Sequence, residues 1–126
     1  MDYKTNKPIY LQIVDFMCER ILQGVWKPEE RIPSVRELSV LMTVNPNTVV
    51  KSLEYLENKQ IIFQKRGIGY FVEPLGLQRI REMYKTEFFN HDLPNLFEKM
   101  HYLNISMEEI VTFSTRNSSY TKHTKK

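Results

Sequence analysis

Residues 33–51 read Pro-Ser-Val-Arg-Glu-Leu-Ser-Val-Leu-Met-Thr-Val-Asn-Pro-Asn-Thr-Val-Val-Lys and hold two helix-start signals with only a tight turn between them. Ser34 can cap a first helix while Glu37, three residues on, reaches back to complete a capping box. Asn45 can cap a second helix, with Pro46 at its first position, where the missing N–H costs nothing. The turn around Thr43 and Val44 leaves room only for a close-packed corner. Two helices meeting at such a corner form a helix-turn-helix, and the second begins at a solvent-facing edge with Asn47 and Thr48 in its first turn. Those side chains are placed to meet a base edge or a phosphate.

The flanks extend the pattern. Residues 8–23 open with Pro8, carry Tyr10, Ile13, Val14, Met17 and Ile21 at helical spacing and close at Gly24, which predicts a helix apolar on one side. The turn Lys27-Pro28-Glu29-Glu30 leads to a short extended piece at Arg31 and Ile32. Helix two is expected over 34–43 with Leu38, Leu41 and Met42 inward, and helix three over 46–58 with Val49, Leu53 and Leu56 inward. The runs 61–65 and 70–73 are β-branched and aromatic and are joined through Arg66-Gly67-Ile68-Gly69, which predicts a β-hairpin. A helix-turn-helix followed directly by a hairpin is the order of a winged helix. Lys65 and Arg66 cluster at the wing's tip beside Gly67 and Gly69, whose bare backbone can approach a minor groove or a phosphate closely.

Past a junction at Glu73-Pro74-Leu75-Gly76 the chain is helical again. Leu77, Ile80, Tyr84 and Phe88 fall on one stripe; Phe89, Leu93, Leu96, Phe97, Met100 and Leu103 continue on a second, with Pro94 expected to kink or restart the helix. Ser106-Met107-Glu108-Glu109 is a third capping box and opens a last helix through about Phe113, with Ile110 and Val111 inward. The Ser/Thr/Lys-rich tail beyond Arg116 has nothing to bury and is expected to be disordered. The fold class is therefore mainly α with a small β-hairpin: a winged helix-turn-helix over 1–74, a helical segment over 75–116 and a basic tail over 117–126. Two apolar stripes on so short a segment cannot hide against one another. A second copy of the chain is the simplest cover, with Leu77, Ile80, Tyr84, Phe88, Phe89, Leu96, Phe97 and Met100 as interface; packing on the winged helix of the same chain is the alternative.

At 126 residues the chain suits one domain of ordinary size, or a small domain plus an appendage. Its formal charge of +3 falls to −1 once Arg116, Lys122, Lys125 and Lys126 of the acid-free last stretch are set aside. Any contact with nucleic acid must therefore rest on particular cations, not on bulk charge. A single cysteine, Cys18, excludes an internal disulfide and a thiolate zinc site, and its apolar helix marks it as inert core. Glu98-x-x-His101 has a spacing known from metal-binding bundles, but one copy beside His91 and Asp92 reads as structural, and no metal or cofactor is expected. No apolar run approaches the ~20 residues of a spanning helix and the N-terminus lacks a signal-peptide core, so a cytoplasmic protein without membrane contact is expected.

Together, Tyr10-Leu-Gln12-Ile13, Gly24, Arg31-Ile-Pro33-Ser34-Val-Arg36-Glu37-Leu38, Val44-Asn45-Pro46-Asn47-Thr48-Val49, Leu53 to Leu56-Glu57 and Arg66-Gly67-Ile-Gly69-Tyr-Phe71-Val72 resemble the GntR family of bacterial transcription regulators. The Asn-Pro-Asn-Thr that heads helix three and the short helical C-terminus look like its YtrA-like subfamily. The resemblance covers residues 8–73 closely and the rest in length and helical character. It implies that Arg36 grips DNA, that Asn45, Asn47 and Thr48 lie where the family contacts bases and phosphates, and that the Gly67–Gly69 tip enters the minor groove. Relatives in other subfamilies often place arginine where Pro46 and Val50 stand here, so base readout shifts toward Asn47, an amide able to pair bidentately with adenine, while Lys51 holds a phosphate. Gln60 replaces the glycine usual between helix three and the wing.

The function expected is sequence-specific binding of a pseudo-palindromic DNA operator by a homodimer acting as a transcription regulator, commonly a repressor. No Ser/His/Asp, paired-carboxylate or phosphate-loop arrangement argues for an enzyme. Relatives with larger C-terminal domains bind small-molecule effectors there; here only a dimer interface has room for one. The rival reading is a winged helix used for protein–protein interaction, with Arg36, Lys65 and Arg66 merely solvated.

Overall fold

A computed structural model describes residues 6–117. The first compact unit runs through Tyr84 and the second begins at Lys85. In the first, α1 (Ile9–Leu22) buries Ile13, Val14, Met17, Cys18 and Ile21, the stripe its spacing predicts. It stops where Gly24 turns left-handed (φ 78) and the Val25 and Gly24 amides donate back to Arg20 and Ile21. α2 (Val35–Met42) starts on the expected capping box: Ser34 Oγ accepts from the Glu37 amide at 3.1 Å and the Glu37 carboxylate from the Ser34 amide at 2.8 Å. α3 (Pro46–Asn58) starts on Asn45, whose side chain accepts from the Asn47 amide at 2.8 Å.

Val49, Leu53 and Leu56 of α3 are fully buried, together with Leu38 of α2 and the α1 stripe. Leu41 is a correction. Expected inward, it is 62 % exposed, and Ser39 takes the inner position by donating its hydroxyl to the Val35 carbonyl at 2.7 Å. Ser52, also fully buried, ties α3 to α1 through the Tyr10 carbonyl at 2.7 Å.

The hairpin pairs β1 (Ile62–Lys65) with β2 (Gly69–Val72) in antiparallel register, Ile62 opposite Val72 and Lys65 opposite Gly69. The extended piece before α2 adds to its free edge: Arg31 bridges Phe71, and the Ile32 amide donates to Tyr70 at 2.9 Å. Ile32, Ile62 and Val72 close the core beneath.

α4 (Gly76–Glu87) then lies back on the winged helix. A Cβ on Gly76 would stand 2.6 Å from the Ile61 carbonyl, so only glycine admits this approach. Arg79 donates to the Gln60 carbonyl at 2.8 Å, and Tyr84 donates to Asp15, which also pairs with Lys7 at 2.7 Å. The unit therefore closes beyond the expected junction at Pro74. This overturns one interface residue: Ile80 is fully buried in the winged-helix core, with Leu77 and Tyr84 packed against it, so Ile80 has no surface to give a partner.

In the second unit a π-helical turn, Phe88–Asp92, precedes α5 (Leu93–Leu103), the Leu93 amide reaching back five residues to Phe88. Pro94 cannot donate, and the helix restarts there through the widened turn. Asn104, left-handed at φ 58, ends α5, and the third capping box, Ser106 with Glu109, opens α6 (Met107–Arg116). Val111, expected inward, is 56 % exposed, and Ile110 is half-buried. Of the expected basic tail, everything past Asn117 lies outside the described residues.

Candidate nucleic-acid interface

The corner between α2 and α3 is set by Thr43, held left-handed at φ 54 while its amide and that of Val44 donate back to Val40 and Ser39. Burial of Val49, Ser52, Leu53 and Leu56 turns the opposite stripe of α3 outward: Asn47, Lys51, Glu54 and Asn58 are all exposed. Polarity along that stripe is uneven. Its first half carries an amide and a cation, its second half Glu54 with Glu57 alongside, so an anionic ligand is better accommodated at the N-terminal end of the helix, where the positive end of the helix dipole lies.

Around that end stand most of the expected contacts. Asn45 and Asn47 are exposed, and Thr48 is half-buried with its carbonyl accepting from Ser52 at 3.1 Å. Ser34 is half-buried and its hydroxyl is engaged with Glu37 in the α2 cap, so it contributes a helix start. Arg36, in the first turn of α2, is exposed and makes no hydrogen bond or ion pair among the described residues. Glu37 is spent on the cap: hydrogen bonds from the Ser34 backbone and side chain, with a smaller pull from the Arg31 charge, hold its carboxyl below the usual range. Lys51 Nζ rests 4.2 Å from the centre of the Tyr10 ring, so the cation of α3 is steadied by α1.

The wing supplies the rest. Lys65 Nζ lies 4.5 Å from the centre of the Phe71 ring, and Arg66 is exposed at the turn. Gly67 is left-handed (φ 78) and open, with nothing near the position of a Cβ. Gly69 differs. A Cβ there would stand 2.9 Å from Arg31 Nε, so its bareness serves an intramolecular contact. Sequence reasoning quoted Arg31 within a motif and gave it no role. Its signal is the pairing of an arginine before Ile-Pro-Ser with a glycine at the wing's second strand, visible only once the segment is known to lie against that strand.

Of the expected partner-facing residues, Phe88, Phe89, Leu96 and Phe97 are 44 %, 56 %, 41 % and 45 % exposed; Met100 is a correction, since at 7 % exposed it is buried within its own chain and has little surface to give a partner. Phe88 and Phe89 meet edge to face, 5.3 Å between centres. No group of three or more His, Cys, Asp and Glu among the described residues is arranged to share a metal ion, Glu98 and His101 included, and no described helix is long and apolar enough to cross a membrane.

Known proteins show the same design. Residues 9–72 match the family of bacterial regulatory proteins, gntR family. The HTH-type transcriptional repressor YtrA of Bacillus subtilis is 34 % identical over 110 residues, 87 % of this chain and 84 % of that protein. A solved GntR-family transcriptional regulator from Listeria monocytogenes superposes with a TM-score of 0.72 at 30 % identity, covering 92 % of this chain and 97 % of its own. YtrA from Sulfolobus acidocaldarius, a GntR-family transcription factor, is 33 % identical with a TM-score of 0.51, covering 94 % and 95 %.

Proposed function

The chain belongs to the gntR family of bacterial regulatory proteins, transcription regulators and not enzymes, and from that premise we propose that it binds a pseudo-palindromic operator as a homodimer and represses transcription from it. The observation that carries the DNA contact is the uncovered N-terminal end of α3. Asn47 and Lys51 face outward there, Arg36 stands free on the adjoining helix, and acidic residues begin only at Glu54. In this reading Asn47 reads a base edge, Asn45 and Thr48 frame it, Arg36, Lys51, Lys65 and Arg66 hold phosphates, and the Gly67 tip enters the minor groove. Repression follows the similarity to a protein named as a repressor over most of both chains.

Two-fold symmetry is supported by the exposed aromatic and aliphatic side chains of the second unit. Phe88, Phe89, Leu96 and Phe97 are large apolar side chains each more than two-fifths exposed, and a partner that covered them would remove that surface from water. Pairing two copies aligns two helix-turn-helix units on one site and makes the second half-site contact intramolecular.

The test is a fluorescence-anisotropy titration against a labelled duplex from upstream of the protein's own gene. Affinity is expected to steepen as salt falls and to collapse in Arg36→Ala. Binding that ignores salt, or that is indifferent to both Arg36→Ala and Arg66→Ala, would instead make this a winged helix for protein partners.

A further inference from the structure

The wing tip is held from outside the hairpin. Between Lys65 and Gly69 the loop makes a turn of its own, the Ile68 amide donating to Lys65 at 2.9 Å. A second restraint comes from Arg31, on the segment that leads into α2: its Nε donates to the Ile68 carbonyl at 3.1 Å. The backbone of Arg31 is fixed in turn by its antiparallel bridge to Phe71, and three residues further on stands Ser34, the cap of α2. The side chain passes beside Gly69, where a Cβ would stand 2.9 Å from Nε, 3.6 Å from Cζ and 3.7 Å from Cδ. Arginine and glycine therefore fit as a pair: one residue reaches across, and the other leaves the room.

We propose that Arg31 is a positioning residue that locks the wing tip to the segment entering α2, so that the tip and the α3 end are presented to DNA in one fixed relation. The inference rests on the DNA-binding reading above. Its physical basis is preorganisation. A tip whose φ and ψ are already set does not lose backbone freedom at the moment of binding, and about one residue's worth of that freedom corresponds to about tenfold in affinity. Arg31 acts through Ile68 and Gly69, not by adding a phosphate contact, and this separates it from Arg66. Lysine cannot replace it, because the lysine chain places a carbon where Nε stands.

Two measurements test this. The first needs no DNA: 15N relaxation of the free protein. Arg31→Ala and Arg31→Lys are both expected to lower order parameters at residues 66–69 from about 0.85 toward about 0.6, leaving α1 to α3 unchanged. The second uses a duplex recovered by the wild-type protein from a random-sequence library. Both variants are expected to bind it about tenfold more weakly, with the dependence of affinity on salt as steep as in the wild type, whereas Arg66→Ala flattens it by about one ion. Wild-type order at the tip in Arg31→Ala, wild-type affinity in Arg31→Lys, or a flattened salt dependence in either Arg31 variant overturns the proposal. A wild-type protein that recovers no duplex overturns the DNA-binding reading and the consequence for affinity with it, while the relaxation result still decides whether Arg31 orders the tip.

Discussion

Four described residues show how much a single backbone angle decides. Gly24, Thr43, Gln60 and Asn104 each end a helix in the left-handed region, and at each the following amides fold back onto the last carbonyls. Only the first is glycine, and only the first was legible as a stop in the sequence; Thr43 and Gln60 are exposed side chains whose residue types announce no such turn. Gln60, at φ 60, stands where the family resemblance puts glycine, is exposed, and serves only through its backbone, whose carbonyl accepts from Arg79. Gln60→Gly removes the steric cost and keeps those bonds, so it is expected to stabilise the fold by about 0.5–1 kcal/mol, read as a raised thermal midpoint. Cys18 was legible as inert core, but its neighbours were not: burial, with a smaller push from the Asp15 charge, outweighs the Tyr84 hydrogen bond and pushes the thiol up to about 12. Burial and the bond to Asp15 raise Tyr84 as well. A raised pKa in the folded chain means that the unfolded chain loses its proton first. Below the thiol's ordinary 9.0 the group adds no pH dependence, and between there and about 12 stability falls as pH rises. Denaturant unfolding at pH 8 and pH 10.5 is expected to show this loss, with a smaller loss in Cys18→Ala.

Among the elements, the boundaries of α1 to α3 follow from caps and period because each signal is local: Ser34 with Glu37, Asn45 with Pro46, and an apolar residue on every inward turn. What the sequence withheld is which element a stripe packs on. Ile80 belongs to the winged-helix core because Gly76 lets α4 settle on the Ile61 carbonyl, a contact between distant residues that helical spacing does not encode. In the proposed reading Asn45 joins a DNA contact to the observed helix cap, and the two can be separated. Asn45→Asp preserves an oxygen that accepts from the Asn47 amide, so stability is expected to stay within about 0.5 kcal/mol of the wild type. The same change sets a negative charge where a phosphate would lie and is expected to cost DNA affinity about tenfold or more, about 1.4 kcal/mol. Asn45→Ala is expected to lose both, with about 1 kcal/mol of stability gone with the cap. Thermal denaturation beside anisotropy on the same duplex separates the three proteins; unchanged DNA binding in Asn45→Asp would remove the α3 end from the interface.

For the whole molecule, the sequence placed the winged helix and its order correctly but spread the partner-facing surface over residues that serve two different units. With Ile80 withdrawn into the first unit, the surface left for a second copy is concentrated at Phe88, Phe89, Leu96 and Phe97. Helical segments bearing such side chains and no enclosing core of their own need an interface of about 800 Å² on each partner to hold a stable pair. Charge placed there should separate the copies without touching the DNA-contacting end, because α1 to α3 and the wing close their own core within the first unit. Phe89→Asp combined with Phe97→Asp is therefore expected to sediment as the 15.1 kDa chain, and the wild type, in the proposed reading, is expected at twice that mass at micromolar concentration. The strongly helical signature in far-UV circular dichroism should persist, because the first unit keeps its own core. Affinity for a two-half-site duplex should fall by about 10²-fold or more, the loss of an intramolecular second contact, while affinity for a single half-site stays unchanged. A wild type that sediments as a monomer, or a charged double variant that still pairs, would move the symmetry of DNA recognition away from the second unit.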